Sequence, residues 1–140
     1  MSSRILIIGE IGDDVPAFAD ALAQEFTLSL ATTVLDAGKR MQKEVFALII
    51  LDVTEGDGQM TDIINTLQQM SPATPILVTS PSQDARVIVD AVKAGAADFI
   101  ARPFAAEQLR ISVRRSLEAR SLKNEIDYLR REQDVIYNTD

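Results

Sequence analysis

The sequence of 140 residues contains no cysteine and no histidine. Without cysteine there are no disulfides, no thiol nucleophiles and no cysteine-ligated zinc sites. Without histidine there is no serine–histidine catalysis, no histidine-bound metal and no histidine that carries a phosphoryl group. Any chemistry must therefore rest on carboxylates, hydroxyls, lysine, arginine and hard cations.

Long apolar runs are also missing. No run approaches the roughly 18–20 residues of a membrane span, and the first four residues lead into a short apolar run rather than a signal peptide. With 46% hydrophobic and 25% charged residues, the chain can bury a core, which a disordered sequence could not. We expect a soluble, cytoplasmic protein of one domain, or one domain with an appendage, and no membrane partner.

The charge is unevenly distributed. The net charge of −7 lies within residues 1–104, whereas residues 105–140 are neutral overall. An acidic body disfavours nonspecific binding to nucleic acid, so we expect no direct contact with it in this segment. All 6 glycines and all 5 prolines lie at or before Pro103, so the sequence changes character near Phe104.

Short apolar runs alternate with amphipathic segments along the first hundred residues. The predicted strands are 4–8, 28–31, 45–51, 75–79 and 98–100, and the predicted helices are 14–26, 34–43, 61–70 and 84–94, with a fifth helix after Pro103. Strands that are apolar throughout, each followed by a helix, indicate a parallel sheet covered on both faces. The pattern therefore predicts a doubly wound α/β fold.

Polar side chains stand where these strands end. Glu10, Asp52, Ser80 and Arg102 follow or close four of the predicted strands, and ligands of such sheets lie beyond the carboxyl ends of the strands. Aspartate can accept a phosphoryl group as a nucleophile, and Mg²⁺ prefers one or two carboxylates with water. A hydroxyl and an arginine can bind phosphoryl oxygens. These residues predict a phosphoryl-accepting site around a hard cation.

Two stretches resemble a known family. The segment AVKAGAADFIARPF at 91–104 and the strand LIILD at 48–52 resemble the receiver domain of bacterial two-component response regulators, and the likeness spans residues 4–116. It implies a CheY-like, flavodoxin-like (βα)5 fold with strand order 2-1-3-4-5, and residues 105–140, which hold no glycine or proline, predict an extended C-terminal helix. It also implies a signalling domain in a phosphorelay, and not an enzyme.

The resemblance assigns roles to individual residues. Asp52 would be the phosphoacceptor, Ser80 the switch hydroxyl and Phe99 the aromatic switch, with a histidine kinase as the phosphoryl donor. Phosphorylation would reshape the face made by the fourth helix, the fifth strand and the fifth helix, because new phosphoryl contacts bias a bistable element. Arg102 stands where the family has a phosphate-binding lysine, and its bond to Pro103 is expected to be cis.

The implied metal site departs from the family pattern. Mg²⁺ would be held by Glu10, Asp52 and the backbone carbonyl of Thr54, but Gly9 replaces the first of the family's two adjacent acids. The loss of that acid would lower the affinity for Mg²⁺. Arginine and lysine are not interchangeable, so Arg102 either binds the phosphoryl group or holds the unmodified aspartate. An alternative function is therefore a phosphorylation-independent pseudo-receiver, an interaction and dimerisation module.

Simpler interpretations remain open for several of these residues. Glu10 is compatible with an exposed loop acid, Ser80 with a strand end, Phe99 with plain core and Arg102 with a surface cation. The spacing of Gly9 and Gly12 after a strand also suggests dinucleotide binding. The full glycine fingerprint of such sites is absent, which makes this a weaker alternative.

The last segment divides into two parts. Leu109, Val113 and Leu117 are spaced to dock a fifth helix on the sheet, which places a domain boundary between residues 1–117 and 118–140. From Ala119 to Ile136 the apolar positions follow a heptad pattern, which predicts a parallel homodimer through this helix. The alternative is a single amphipathic helix.

Residues 124–140 also resemble the linker into the AAA+ ATPase domain of sigma-fifty-four-dependent activators, which implies an ATPase and DNA-binding output domain in a longer protein.

Overall fold

Five parallel strands, numbered along the chain, form one sheet in the order 2-1-3-4-5, as the resemblance implied. The computed structural model describes residues 3–9, 15–53, 59–82, 84–119 and 129. The strands are β1 (Ser3–Ile8), β2 (Phe26–Ala31), β3 (Leu48–Asp52), β4 (Ile76–Ser80) and β5 (Asp98–Ala101). The helices are α1 (Val15–Leu22), α2 (Val34–Lys43), α3 (Met60–Met70), α4 (Ala85–Ala94) and α5 (106–119).

Both faces of the sheet are buried, because successive side chains of a strand point to opposite faces. One hydrophobic cluster joins Ile49 and Leu51 of β3 to residues of α2, α3 and α4. The other joins Leu48 and Ile50 to residues of α1 and α5. Each fully buried Ile or Leu side chain contributes about 1.5–3 kcal/mol through removal from water. The doubly wound α/β prediction is therefore confirmed.

Local signals fix several helix ends. The Thr33 side chain accepts a hydrogen bond from the Asp36 N–H at the start of α2, and the Asp84 side chain accepts one from the Arg86 N–H at the start of α4. Gly95 ends α4 with φ of 116°, a left-handed conformation that glycine adopts without steric cost. The predicted bounds of α2 and α4 are confirmed to within one residue.

Three predicted bounds are wrong by two or more residues, namely the start of β3, the end of α1 and the start of β2. Strand β3 begins at Leu48 and not at Val45, which is 85% exposed. Val45 belongs to the same apolar run, but the bond from Ala47 N–H to the Arg4 carbonyl, 2.8 Å long, shows that pairing with β1 starts after it. Helix α1 ends at Leu22, and Phe26 starts β2, from which it packs against the α1 and α5 side of the core.

Helix α5 docks as predicted. Leu109 and Val113 are fully buried, and Leu117 packs against the same cluster. The Arg110 side chain donates from Nε to the Ala21 carbonyl at 3.0 Å, which ties α5 to the last turn of α1. Apart from residues 119 and 129, the predicted heptad segment lies outside the described residues. None of the described helices is long and apolar enough to cross a membrane.

Candidate functional site

Asp52 is the last residue of β3, and its side chain is only 4% exposed. The register of the sheet places it beside Thr79 of β4. Thr79 Oγ1 donates a hydrogen bond to Asp52 Oδ1 at 2.8 Å, and Thr79 itself is fully buried. The carboxyl group is thus fixed from one side by a neighbouring strand.

Arg102 approaches the same carboxyl oxygen from the end of β5. Its Nε lies 3.1 Å from Asp52 Oδ1, and its side chain is 16% exposed. A terminal nitrogen of the same guanidinium donates to the Val53 carbonyl at 2.6 Å. The planar fork of arginine allows both contacts at once. Arg102 therefore lies beside Asp52, and its bond to Pro103 is cis, as expected. Its phosphate-binding role remains a prediction.

Ser80 is the last residue of β4, and Phe99 lies within β5. Ser80 follows Thr79 in β4, is buried, and accepts a hydrogen bond from the Ser82 N–H at its Oγ, 3.1 Å away. Its backbone carbonyl accepts from the Arg102 N–H at 2.8 Å, which links the ends of β4 and β5. Phe99 is half-buried in β5 and packs against the cluster shared with α4. The switch roles of both residues remain predictions.

Thr79 is the residue that the sequence analysis missed. The resemblance pointed to Ser80, and two adjacent hydroxyls at a strand end give no periodic signal that separates them. Only the pairing of β3 with β4 shows that Thr79 stands opposite Asp52. The change from the apolar residues Ile76 to Val78 to two hydroxyl residues was the available signal, and it does not distinguish Thr79 from Ser80.

Gly9 packs closely against Asp52 at the end of β1. A Cβ added to Gly9 would lie 2.7 Å from the Asp52 carbonyl oxygen and 2.9 Å from the Asp52 Cβ. Both distances are too short for unperturbed packing. With the backbones so close, this position does not accommodate the acidic side chain that the family carries here.

A cavity of about 290 Å³ lies beside the carboxylate. Its lining includes Gly9, Thr33, Asp52, Val53 and Gln59, so it is bounded by the carboxyl ends of β1 and β3 and by the starts of α2 and α3. This is the edge at which parallel sheets bind their ligands. Asp52 is thus one of the residues that line a cavity at this edge.

Mg²⁺ binds oxygen ligands, namely carboxylates, carbonyls and water. Glu10 and Thr54, two of the three predicted ligands, lie outside the described residues. Within the described ranges no group of three acidic side chains could hold a metal ion, and Asp52 is the carboxylate at this edge. Mg²⁺ usually takes one or two carboxylates, with water and substrate phosphate in its other positions. A single carboxylate beside a cavity fits this minimum.

Comparison with known proteins decides the family. The model of the response regulator receiver domain matches residues 6–114. The chain belongs to this family. Its match to alginate biosynthesis transcriptional regulatory protein AlgB of Pseudomonas syringae pv. tomato is 28% identical over 127 residues and covers 90% of this chain. The match to regulatory protein AtoC of Escherichia coli is 30% identical over 132 residues and covers 91% of this chain.

The structural comparison agrees with the family. NtrX of Brucella abortus, crystallised with ADP, superposes on this receiver domain with a TM-score of 0.82 at 26% identity and covers 92% of the chain. The chain spans 28% of the length of AlgB and of AtoC, and 30% of the NtrX chain. It therefore corresponds to one part of these longer proteins.

Proposed function

We propose that this receiver domain accepts a phosphoryl group on Asp52 and passes the change to an output domain. The observation that carries the proposal is the group at the carboxyl edge: a carboxylate beside a cavity, held by Thr79 and by Arg102 at 3.1 Å. A fixed cation next to a buried nucleophile neutralises charge that gathers on transferred phosphoryl oxygens.

In the transfer step, a carboxylate oxygen of Asp52 forms a bond to phosphorus while the bond between phosphorus and the donor breaks. The donor we propose is a phosphohistidine of a histidine kinase, and the support for it is the chain's membership of the receiver domain family. Bound Mg²⁺, held by Asp52 together with Glu10 and the Thr54 carbonyl, would supply further charge neutralisation at the phosphoryl oxygens. Arg102 is placed to pair with the oxygens that the transfer brings to this edge.

The switch proposed for the phosphorylated state runs through β4 and β5. Ser80 would exchange its bond with the Ser82 N–H for one with a phosphoryl oxygen, and Phe99 would turn inward behind it. Backbone pairing between Ser80 and Arg102 gives these strand ends a direct connection. A rearrangement there would reshape the surface formed by α4, β5 and α5.

The proposed location, dimer and output domain are supported by the matched relatives. Two of them are described as transcriptional or regulatory proteins, and they are longer than this chain. We propose a cytoplasmic regulator in which residues 118–140 form a signalling helix, pair in a homodimer and lead into an ATPase and DNA-binding output domain. Phosphorylation would act through the packing of that dimer.

Intact-mass measurement tests the proposal. The chain is incubated with acetyl phosphate, with and without Mg²⁺, beside Asp52→Asn as the matched control. We expect the mass of one phosphoryl group to be added to the wild type in Mg²⁺ and not to Asp52→Asn. Equal modification of both chains would contradict the assignment of Asp52, and no modification of either would contradict the phosphoacceptor function.

A second candidate is the pseudo-receiver, and two observations favour it. Asp52 already has a cationic partner in Arg102, and the close packing at Gly9 opposes a second acid. In this case the same incubation leaves the mass unchanged, while light scattering on the chain with and without residues 119–140 still shows a dimer that the truncation abolishes.

A further inference from the structure

The Thr79 hydroxyl is a buried polar group with one specific contact. It donates to Asp52 Oδ1 at 2.8 Å from a fully buried position in the middle layer of the fold. The residues before it in β4, from Ile76 to Val78, are apolar and equally buried. A valine would fill this place in similar shape, so packing alone does not call for a hydroxyl here.

We infer that the Thr79 hydroxyl shortens the lifetime of the phosphorylated state by stabilising Asp52 as a free carboxylate. The inference rests on the proposed function and adds to it a residue that controls how long the signal lasts. It concerns the return step, in which the phosphoryl group leaves the aspartate, and it assigns Thr79 a role separate from that of Ser80.

The physical basis is the change in charge on Oδ1. In the resting state this oxygen belongs to an anion, and hydrogen bonds to ionised groups are roughly twice as strong as neutral ones. When Oδ2 carries the phosphoryl group, Oδ1 becomes the uncharged carbonyl oxygen of an acyl phosphate. The same hydroxyl then stabilises it less, so Thr79 favours the unmodified side of the equilibrium.

The effect also acts on the rate of hydrolysis. Water forms a bond to phosphorus, the bond from phosphorus to Oδ2 breaks, and its electron pair returns to the carboxylate; the products are the free aspartate, inorganic phosphate and a proton. Phosphoryl transfer passes through a loose transition state, in which the leaving oxygen gains charge early. A donor on Oδ1 stabilises that developing carboxylate, and its loss slows the step.

Three variants separate the hydroxyl from its surroundings. Thr79→Val removes the hydroxyl and keeps the shape, whereas Thr79→Ser keeps the hydroxyl and removes a methyl group. Thr66→Val is the matched control, because the Thr66 hydroxyl donates to the Asp62 carbonyl on the exposed side of α3, away from Asp52. A packing role predicts the larger change in Thr79→Ser, and the inferred role predicts it in Thr79→Val.

The experiment uses the full chain loaded with acetyl phosphate and Mg²⁺, freed of donor, and followed by intact mass over time. Losing one charge-assisted hydrogen bond should lengthen the lifetime of the modified Thr79→Val chain by about fivefold to tenfold. Thr79→Ser and Thr66→Val should decay at close to the wild-type rate. Thermal unfolding of each variant confirms that the compared chains are folded.

The outcomes distinguish this inference from the proposal beneath it. If the wild type is modified at Asp52 but Thr79→Val decays at the wild-type rate, or faster, the inference is wrong and the phosphoacceptor function stands. The inference is equally wrong if Thr79→Ser shows the longer lifetime. If the wild type is never modified, the phosphoacceptor function fails first and the inference fails with it.

Discussion

The middle of the sheet and its carboxyl edge are built from the same two strands but hold different kinds of side chain. In the middle, Ile50 of β3 and Leu77 of β4 are fully buried among other apolar groups. At the edge, Asp52 and Thr79 are buried too, but each has a specific polar contact. Apolar packing is non-directional, whereas a buried polar group depends on a named partner. Stability in the middle therefore depends on buried volume, and stability at the edge depends on specific polar partners.

The largest expected effect comes from breaking the middle. Ile50→Ala should lower the free energy of unfolding by about 2–5 kcal/mol, because it removes buried methyl groups and leaves a cavity. The matched control is Val45→Ala, since Val45 is 85% exposed, and surface changes usually stay within about 0.5 kcal/mol. Urea unfolding of both variants measures the difference, and similar losses would contradict the burial pattern.

Removing a polar side chain at the carboxyl edge should lower the free energy of unfolding somewhat less. The size of the loss should depend on which partner group is left without its contact. Arg102→Ala leaves the Asp52 carboxylate without its cation, and removing one member of a buried ion pair destabilises by about 3 kcal/mol. Arg102→Lys keeps the charge and should lose less. The control is Arg40→Ala, whose pair with Asp36 is more than two-fifths exposed on both sides and is worth at most about 1 kcal/mol.

A double-mutant cycle sharpens this prediction. If the cost of Arg102→Ala comes from an orphaned charge, it should shrink in an Asp52→Asn background, because the carboxylate is then gone. Urea unfolding of the two single variants and the double variant gives the coupling. An equal cost of Arg102→Ala in both backgrounds would show that the arginine acts through its other contacts, including the hydrogen bond to the Val53 carbonyl, and not through the Asp52 charge.

A smaller loss of stability is expected from Gly9→Ala, at the residue that follows β1 at the carboxyl edge. Gly9→Ala puts a methyl group 2.7 Å from the Asp52 carbonyl oxygen, and such overpacking costs about 1–3 kcal/mol. Gly38→Ala in α2 is the matched control: its Cβ would meet only the Met70 side chain, at 3.2 Å, and alanine gains up to about 1 kcal/mol of helix propensity there. Thermal unfolding should therefore move in opposite directions, and a stabilising Gly9→Ala would contradict the close approach.

The same contrast explains what sequence reasoning could and could not reach. The alternation of apolar runs with amphipathic segments predicted α2, α4 and the parallel sheet, because these signals are local. They misplaced the start of β3, since an apolar run does not show where pairing with a neighbour begins. They also missed Thr79, because its partner Asp52 is 27 residues away in the sequence and is identified only by the register.

The short distance between the backbones of β1 and β3 also could not be predicted from the sequence. The sequence showed that Gly9 replaces an acid, which suggested a simple loss of a metal ligand. The structure shows in addition that the ends of β1 and β3 approach too closely for a side chain at this position. Restoring the acid by Gly9→Asp would therefore strain the backbone beside the very carboxylate it is meant to assist.

The central claim is that phosphorylation at Asp52 changes the structure at the ends of β4 and β5. Its most direct test is an NMR titration of the backbone amides with beryllofluoride, a noncovalent phosphoryl mimic, in the presence of Mg²⁺. We predict shifted amide signals at Thr79, Ser80, Phe99 and Arg102 in the wild type and none in Asp52→Asn. Unchanged spectra of the wild type, or the same shifts in Asp52→Asn, would contradict the claim.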